Sequence, residues 1–147
     1  GTFTYVGSFR PNGAMSRDQT VLVDDNGKAY QFYSSENNAT LYISELTDDY
    51  LKPTGRYTRN FVKQSREAPA VFKYNGKYYM LSSGCTGWAP NAARLFSAPS
   101  IWGRGNSIPI PARAREVSGL SAVKALTFCS FPATATFSWP IFGGPRA

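Results

Sequence analysis

The chain has 147 residues, 42% hydrophobic and 15% aromatic, with a net charge of +7 and no histidine. That length suits one domain with a real core, and no apolar run approaches the ~20 residues of a membrane span, so no membrane partner is expected. The lack of histidine excludes His-based acid–base catalysis, Ser-His-Asp triads and His-ligated metals, and two cysteines alone, Cys85 and Cys129, cannot build a structural zinc site.

The positive charge has no dense patch. Residues 1–103 carry eleven basic and eight acidic residues, a net of +3, and residues 104–147 carry five basic residues and Glu116, a net of +4. A solvated surface is expected rather than a nucleic-acid partner. A Cys85–Cys129 bond and two buried thiols both fit the spacing. The sequence opens inside strand-like residues with no signal-peptide pattern, as in a mature product or an excised fragment.

In chain order, Thr2–Phe9 alternates through Phe3, Tyr5 and Phe9 and predicts a strand. Pro11-Asn12-Gly13 predicts a turn. Ser16-Arg17-Asp18 leads into a short β-branched strand, Thr20–Val23, and Asp24-Asp25-Asn26-Gly27 is a hairpin turn because Asn-Gly accepts positive φ. Lys28–Ser34 returns with Tyr30 and Phe32 on one face. Glu36–Asn38 turns, Thr40–Leu46 is a third strand, Leu51–Gly55 a loop, and Arg56–Val62 the outer strand. A second unit has the same order: Ser65-Arg66-Glu67, strand Ala70–Tyr74, turn Asn75-Gly76, strand Lys77–Ser83, then a longer loop, Gly84–Asn91, before strand Arg94–Ser97. That loop holds Trp88 and is a candidate substrate contact.

The two units are offset by 49 residues: Asp18 matches Glu67, Asn26-Gly27-Lys28 matches Asn75-Gly76-Lys77, Tyr30 matches Tyr79, and Ser34 matches Ser83. A repeat of this length with several short strands per copy predicts an all-β chain built of β-propeller blades, a partial propeller with one acid at the same place in each blade. The repeat fades after Gly103. Residues 1–103 are therefore read as two or so blades and residues 104–147 as a divergent tail or degenerate blade, in which the position of Glu116 is a chance match and Phe128, Phe131, Phe137, Trp139 and Phe142 are available to pack. A shifted reading frame or a foreign tail would account for the change.

These motifs resemble glycoside hydrolase family 43, a family of five-bladed β-propellers. Ser16-Arg17-Asp18, Arg66-Glu67-Ala68-Pro69-Ala70, the loop Ser83-Gly84-Cys85-Thr86-Gly87-Trp88, Leu46–Leu51 and Lys73–Tyr79 are together similar to its exo-β-1,3-galactanase branch over about residues 1–103. The resemblance implies an inverting hydrolase that releases galactose from β-1,3-galactan, acting outside the cell or in the periplasm on oligo- or polysaccharide, with no metal and no cofactor. It implies Glu67 as general acid and Asp18 as the carboxylate that keeps the acid protonated and orients it, since a negative charge disfavours ionisation of its neighbour. It implies Thr86 and Trp88 at the border of the sugar pocket, where an aromatic face meets the C–H side of a ring. The family's base is expected before Gly1, and the amide that aids water activation in the galactanase branch has no counterpart after Trp102, so the residues identified are expected to supply only part of the catalysis.

The rival readings are a non-catalytic sugar-binding fragment, an arabinofuranosidase or xylosidase of the same fold, and a basic nucleic-acid binder. For the residues, the plainer readings are Asp18 bonding backbone N–H groups, Glu67 paired with Arg66 or Lys63, Trp88 in the core, and Asn38-Ala39-Thr40 as an unused glycosylation triplet. Open blade edges suggest self-association, and both acids are expected to open into one cleft at the propeller axis.

Overall fold

A computed structural model describes residues 1–5, 7–87, 89, 91, 93–103 and 106–108. The chain forms two four-stranded antiparallel meanders, as expected of consecutive propeller blades. The first comprises β1 (Gln19–Val23), β2 (Ala29–Ser35), β3 (Thr40–Leu46) and β4 (Pro53–Asn60). The second comprises β5 (Arg66–Tyr74), β6 (Lys77–Gly84), β7 (Arg94–Ala98) and β8 (Asn106–Ile108). β8 lies past Gly103, where the repeat was expected to fade, and completes the second sheet by pairing with β7. The rest of the expected tail, with Glu116 and Cys129, lies outside the described residues.

Period-two alternation decides how the sheets meet. Leu22, Tyr30, Phe32, Leu41 and Ile43 share one face of the first sheet and pack against Val71, Met80, Phe96 and Ile101 of the second unit. An apolar cleft runs between the sheets past Phe32, Ile43, Val71 and Phe96 and includes neither Asp18 nor Glu67. On the other face of the first sheet Tyr33, Tyr42 and Tyr57 stack at centroid spacings of 5.3 and 5.6 Å. A 3₁₀ turn, Pro11–Gly13, covers this stack, with Asn12 Nδ2 donating to Tyr33 Oη at 3.2 Å and Ser44 Oγ at 2.9 Å.

The turns follow the residues that form them. Asn75 and Gly76 are both left-handed, with φ of 46° and 72°, and make a two-residue hairpin between β5 and β6. The first copy is wider: Asp24–Lys28 closes through Asp24 N–H to Lys28 O at 2.8 Å, with Gly27 at φ 80°. The extra residues clip the sheets together. Lys73 Nζ bonds Asp24 Oδ1 at 2.6 Å and Asp25 Oδ2 at 2.8 Å, and Tyr78 Oη donates to Asp24 Oδ2 at 2.6 Å.

This clip makes stability pH-dependent. Burial works against the charged Asp24, but hydrogen bonds from Lys73, Tyr78 and the Asp25 N–H outweigh it and hold the carboxyl below its ordinary 3.8. A folded-state pKa below the unfolded one stabilises fully above the unfolded value, and the contribution is lost as pH falls through the folded value. Urea midpoints of the native chain are therefore expected to drop as pH is lowered below about 4, and an Asp24→Asn chain to show a flatter profile. Parallel profiles would remove Asp24 as the source.

Three expected strands differ, one only in its start: β5 begins at Arg66 rather than Ala70, carried past Pro69 by a register shift between Glu67 and Ala70. Thr2–Phe9 is not a strand: Phe3, Tyr5 and Phe9 are 100%, 81% and 63% exposed and no described residue pairs with the segment. Alternation supplies a face but not the partner a ladder needs. The outer strand is Pro53–Asn60 rather than Arg56–Val62. A register shift between Ser44 and Leu46 lets Leu46 pair with Pro53, so β4 starts early, and Phe61, at φ 51°, turns its ring onto Phe96 at 4.4 Å and ends it.

Candidate active site

The two Ser-Arg-acid segments arrive where β1 and β5 begin, side by side. One wholly buried residue, Ser34, ties them. Its N–H donates to Asp18 O and its carbonyl accepts from Arg17 N–H, both at 2.9 Å, while its hydroxyl donates to Arg66 O at 3.1 Å. Asp18 thus lies across from Ser34, as Glu67 lies across from Ser83, so the 49-residue correspondence holds in the backbone as well as in the sequence.

The local backbone at Glu67 is unusual. Ser65 and Ala68 are both left-handed at φ 51°, bracketing Arg66-Glu67, and the register of β5 against β6 shifts between Glu67 and Ala70. Pro69 falls inside the shift, where its missing N–H breaks no regular ladder bond. Each left-handed non-glycine residue costs on the order of 1–3 kcal/mol, and such outliers cluster at functional sites.

The two acids are brought together without touching. Asp18 is exposed, and its Oδ2 accepts from the N–H of Ala68, the residue after Glu67, at 3.2 Å. The plainer reading of Asp18 is thereby met in part: it does bond a backbone N–H, one that belongs to the other acid's segment. Glu67 is half-buried, and its Oε2 accepts from Asn38 Nδ2 at 3.1 Å. No ion pair to Arg66 or Lys63 occurs among the described residues.

Asn38 and Cys85 are the residues that sequence reasoning missed. Asn38 ends a run of three left-handed residues, Glu36, Asn37 and Asn38 at φ 50°, 56° and 67°. Its amide points inward to Glu67 and Thr40 Oγ donates to Glu36, so the glycosylation triplet is committed to the fold. The detectable signal was the Asn-Asn pair in a turn, since Asn tolerates this backbone. Cys85 borders the same cluster. Partial loss of water pushes its thiol pKa up, the Glu67 carboxylate adds to the rise, and the Asn38 amide opposes both. The thiol is therefore a protonated neighbour rather than a nucleophile at neutral pH.

Arg66 is 8% exposed and sits opposite Gly84, where an added Cβ would come within 3.3 Å of Arg66 Nη2, so the glycine makes room for the guanidinium. Burial, then the charge of Arg94, pushes the Arg66 pKa down. Thr86 is exposed, and its hydroxyl serves the loop: it donates to Ala89 O and accepts from Asn91 Nδ2, both at 2.7 Å. Asn91 also bonds Gly84 N–H at 2.8 Å and Gly84 O at 3.0 Å, closing the loop at its neck. Trp88 lies outside the described residues. Among the described residues no three Cys, Asp or Glu side chains converge to hold a metal ion, and no helix is long and apolar enough to cross a membrane.

The model of the glycosyl hydrolases family 43 matches residues 1–114. No curated protein matches the chain. Among solved structures, a GH43 β-1,3-galactosidase with galactodeoxynojirimycin is 57% identical over 67% of this chain and 29% of its own, with a TM-score of 0.66. An exo-β-1,3-galactanase from Clostridium thermocellum is 40% identical over 73% of this chain and 26% of its own, with a TM-score of 0.65. One from Phanerochaete chrysosporium, with galactose, is 38% identical over the same shares, with a TM-score of 0.66. The chain spans less than a third of the length of these relatives.

Proposed function

The chain belongs to glycosyl hydrolase family 43, and from that membership we propose that it carries the acid half of an inverting exo-β-1,3-galactanase site. The observation that supports this reading is the joining of the two repeated acids through one peptide, Asp18 Oδ2 to Ala68 N–H at 3.2 Å, on the edge where the sheets meet. Glu67 is the general acid. Protonated, it gives its proton to the glycosidic oxygen as that bond breaks, while a base on the far face of the sugar activates water. The Asn38 donor occupies Oε2, which leaves Oε1 to carry the transferred proton. Asp18 fixes the Glu67–Ala68 peptide and puts a second negative charge near the acid. Thr86 holds the loop assigned to the border of the sugar pocket through its bonds to Ala89 and Asn91, and Trp88 is assigned to the same border. None of the acids assigned here is the base, so the partner half of the chemistry lies outside this set of residues. The substrate is β-1,3-linked galactose at a chain end, met outside the cell or in the periplasm.

Proton NMR of β-1,3-galactobiose mixed with the chain tests this. Free galactose is expected to appear first as the α anomer, because inversion at a β linkage delivers it. Binding of the disaccharide without release would favour a non-catalytic sugar-binding fragment. Faster release of arabinose or xylose from their aryl glycosides would move the specificity within the fold.

A further inference from the structure

We propose that Glu36 is a positioning residue for Glu67: its carboxylate locks the turn Glu36–Asn38 so that the Asn38 amide meets the acid. This rests on the reading of Glu67 as proton donor. Three consecutive left-handed residues are unfavourable for L side chains, less so for Asn, and Glu is a poor choice for the first. The Glu36 carboxylate itself supplies what holds the turn. Its Oε2 accepts from Thr40 Oγ1 at 2.6 Å, and its Oε1 accepts from Tyr42 Oη at 3.0 Å and from the Arg59 guanidinium. These partners sit on β3 and β4, and the Tyr42 ring is wedged between Tyr33 and Tyr57. One end of the turn is therefore fixed to the rigid face of the first sheet. The other end carries Asn38, whose Nδ2 reaches Glu67 Oε2 on the second sheet at 3.1 Å. Between them Arg17 Nη2 donates to Asn37 Oδ1 at 2.9 Å. The carboxylate touches none of the reacting groups and acts only through the turn.

The thiol of Cys85 gives a readout that does not need turnover, because the Asn38 amide lowers its pKa. In the full chain with Cys129→Ser, iodoacetamide alkylation is followed across pH for the Glu36→Gln, Asn38→Gly and Tyr42→Phe variants. Displacing the Asn38 amide removes an influence that lowers the thiol pKa, so the pH of half-maximal rate is expected to rise in Glu36→Gln as in Asn38→Gly. A rise of about half a unit slows the reaction roughly threefold at pH 8. Tyr42→Phe removes one of the three bonds and keeps the stacked ring, so a smaller rise in the same direction is expected even if Glu36→Gln does not fold. In galactobiose hydrolysis, kcat of Glu36→Gln falls roughly ten- to a hundredfold with KM unchanged. A midpoint that moves in Asn38→Gly but stays put in Glu36→Gln and Tyr42→Phe would overturn the proposal. So would an unchanged kcat in Glu36→Gln where Glu67→Gln is inactive. If Glu67→Gln equals the native chain while the midpoints shift, the reading of Glu67 fails and the link from Glu36 to Asn38 stands.

Discussion

A Glu67→Gln chain is expected to release galactose from β-1,3-galactobiose about 10²–10⁴ times more slowly than the native chain. The amide keeps the shape of the side chain and can still accept from Asn38 Nδ2, which bonds Glu67 Oε2 at 3.1 Å. What it loses is a proton it can give away. Disaccharide affinity and thermal midpoint should therefore change little, which separates a chemical defect from a folding one. The leaving group supplies a second check. A galactosyl alcohol leaves poorly without protonation, whereas a dinitrophenolate leaves without help, so the deficit should shrink strongly on the dinitrophenyl galactoside. Equal rates for the two chains on galactobiose would remove Glu67 from the chemistry.

The largest stability effect is expected at Leu41. Its side chain is 0% exposed and lies in the layer shared by both sheets. Leu41→Ala deletes methyl groups and leaves a void that neighbours on two pleated sheets cannot collapse to fill, so a loss of about 2–5 kcal/mol is expected, toward the upper end. That is comparable to the whole stability of a marginal domain, typically about 5–15 kcal/mol. Urea denaturation monitored by tryptophan fluorescence measures it, with Val21→Ala on the exposed side of β1 as the control, expected to stay within about 0.5 kcal/mol. A loss below about 1 kcal/mol at Leu41 would mean that the two sheets are not closed on each other in solution.

Local chemistry was legible and long-range chemistry was not. Asn75-Gly76 named its hairpin because the two residues accept positive φ, and the turn at Glu36–Asn38 with the apolar run after it gave the bounds of β3. The pairing of Asp18 with Glu67 was readable from a constant offset, since equal spacing along the chain means equal places in successive sheets. The partners of each acid were not readable. Asn38 is 29 residues from Glu67 and its amide direction depends on the clasp at Glu36, a contact between a turn and two strands. Ser34 and Ser83 were matched as repeat members, yet only Ser34 joins both segments, because its hydroxyl points at a neighbouring sheet. Thr2–Phe9 failed for the opposite reason: the alternating pattern was present and a partner strand was not, among the described residues.

Among the described residues, the face carrying Leu22, Tyr30 and Phe32 is closed largely by residues from Val71 to Trp102, and this sets a timetable for biosynthesis. The first sheet can hydrogen-bond fully once Asn60 has cleared the ribosome, but its apolar side then waits for roughly 40 more residues, about 2–8 s at ordinary translation rates. During that interval it is a finished ladder with an oily flank, a natural client for a holding chaperone. The first sheet is thus born needing its successor, and a pause in translation after Asn60 would lengthen the exposure more than a pause before it.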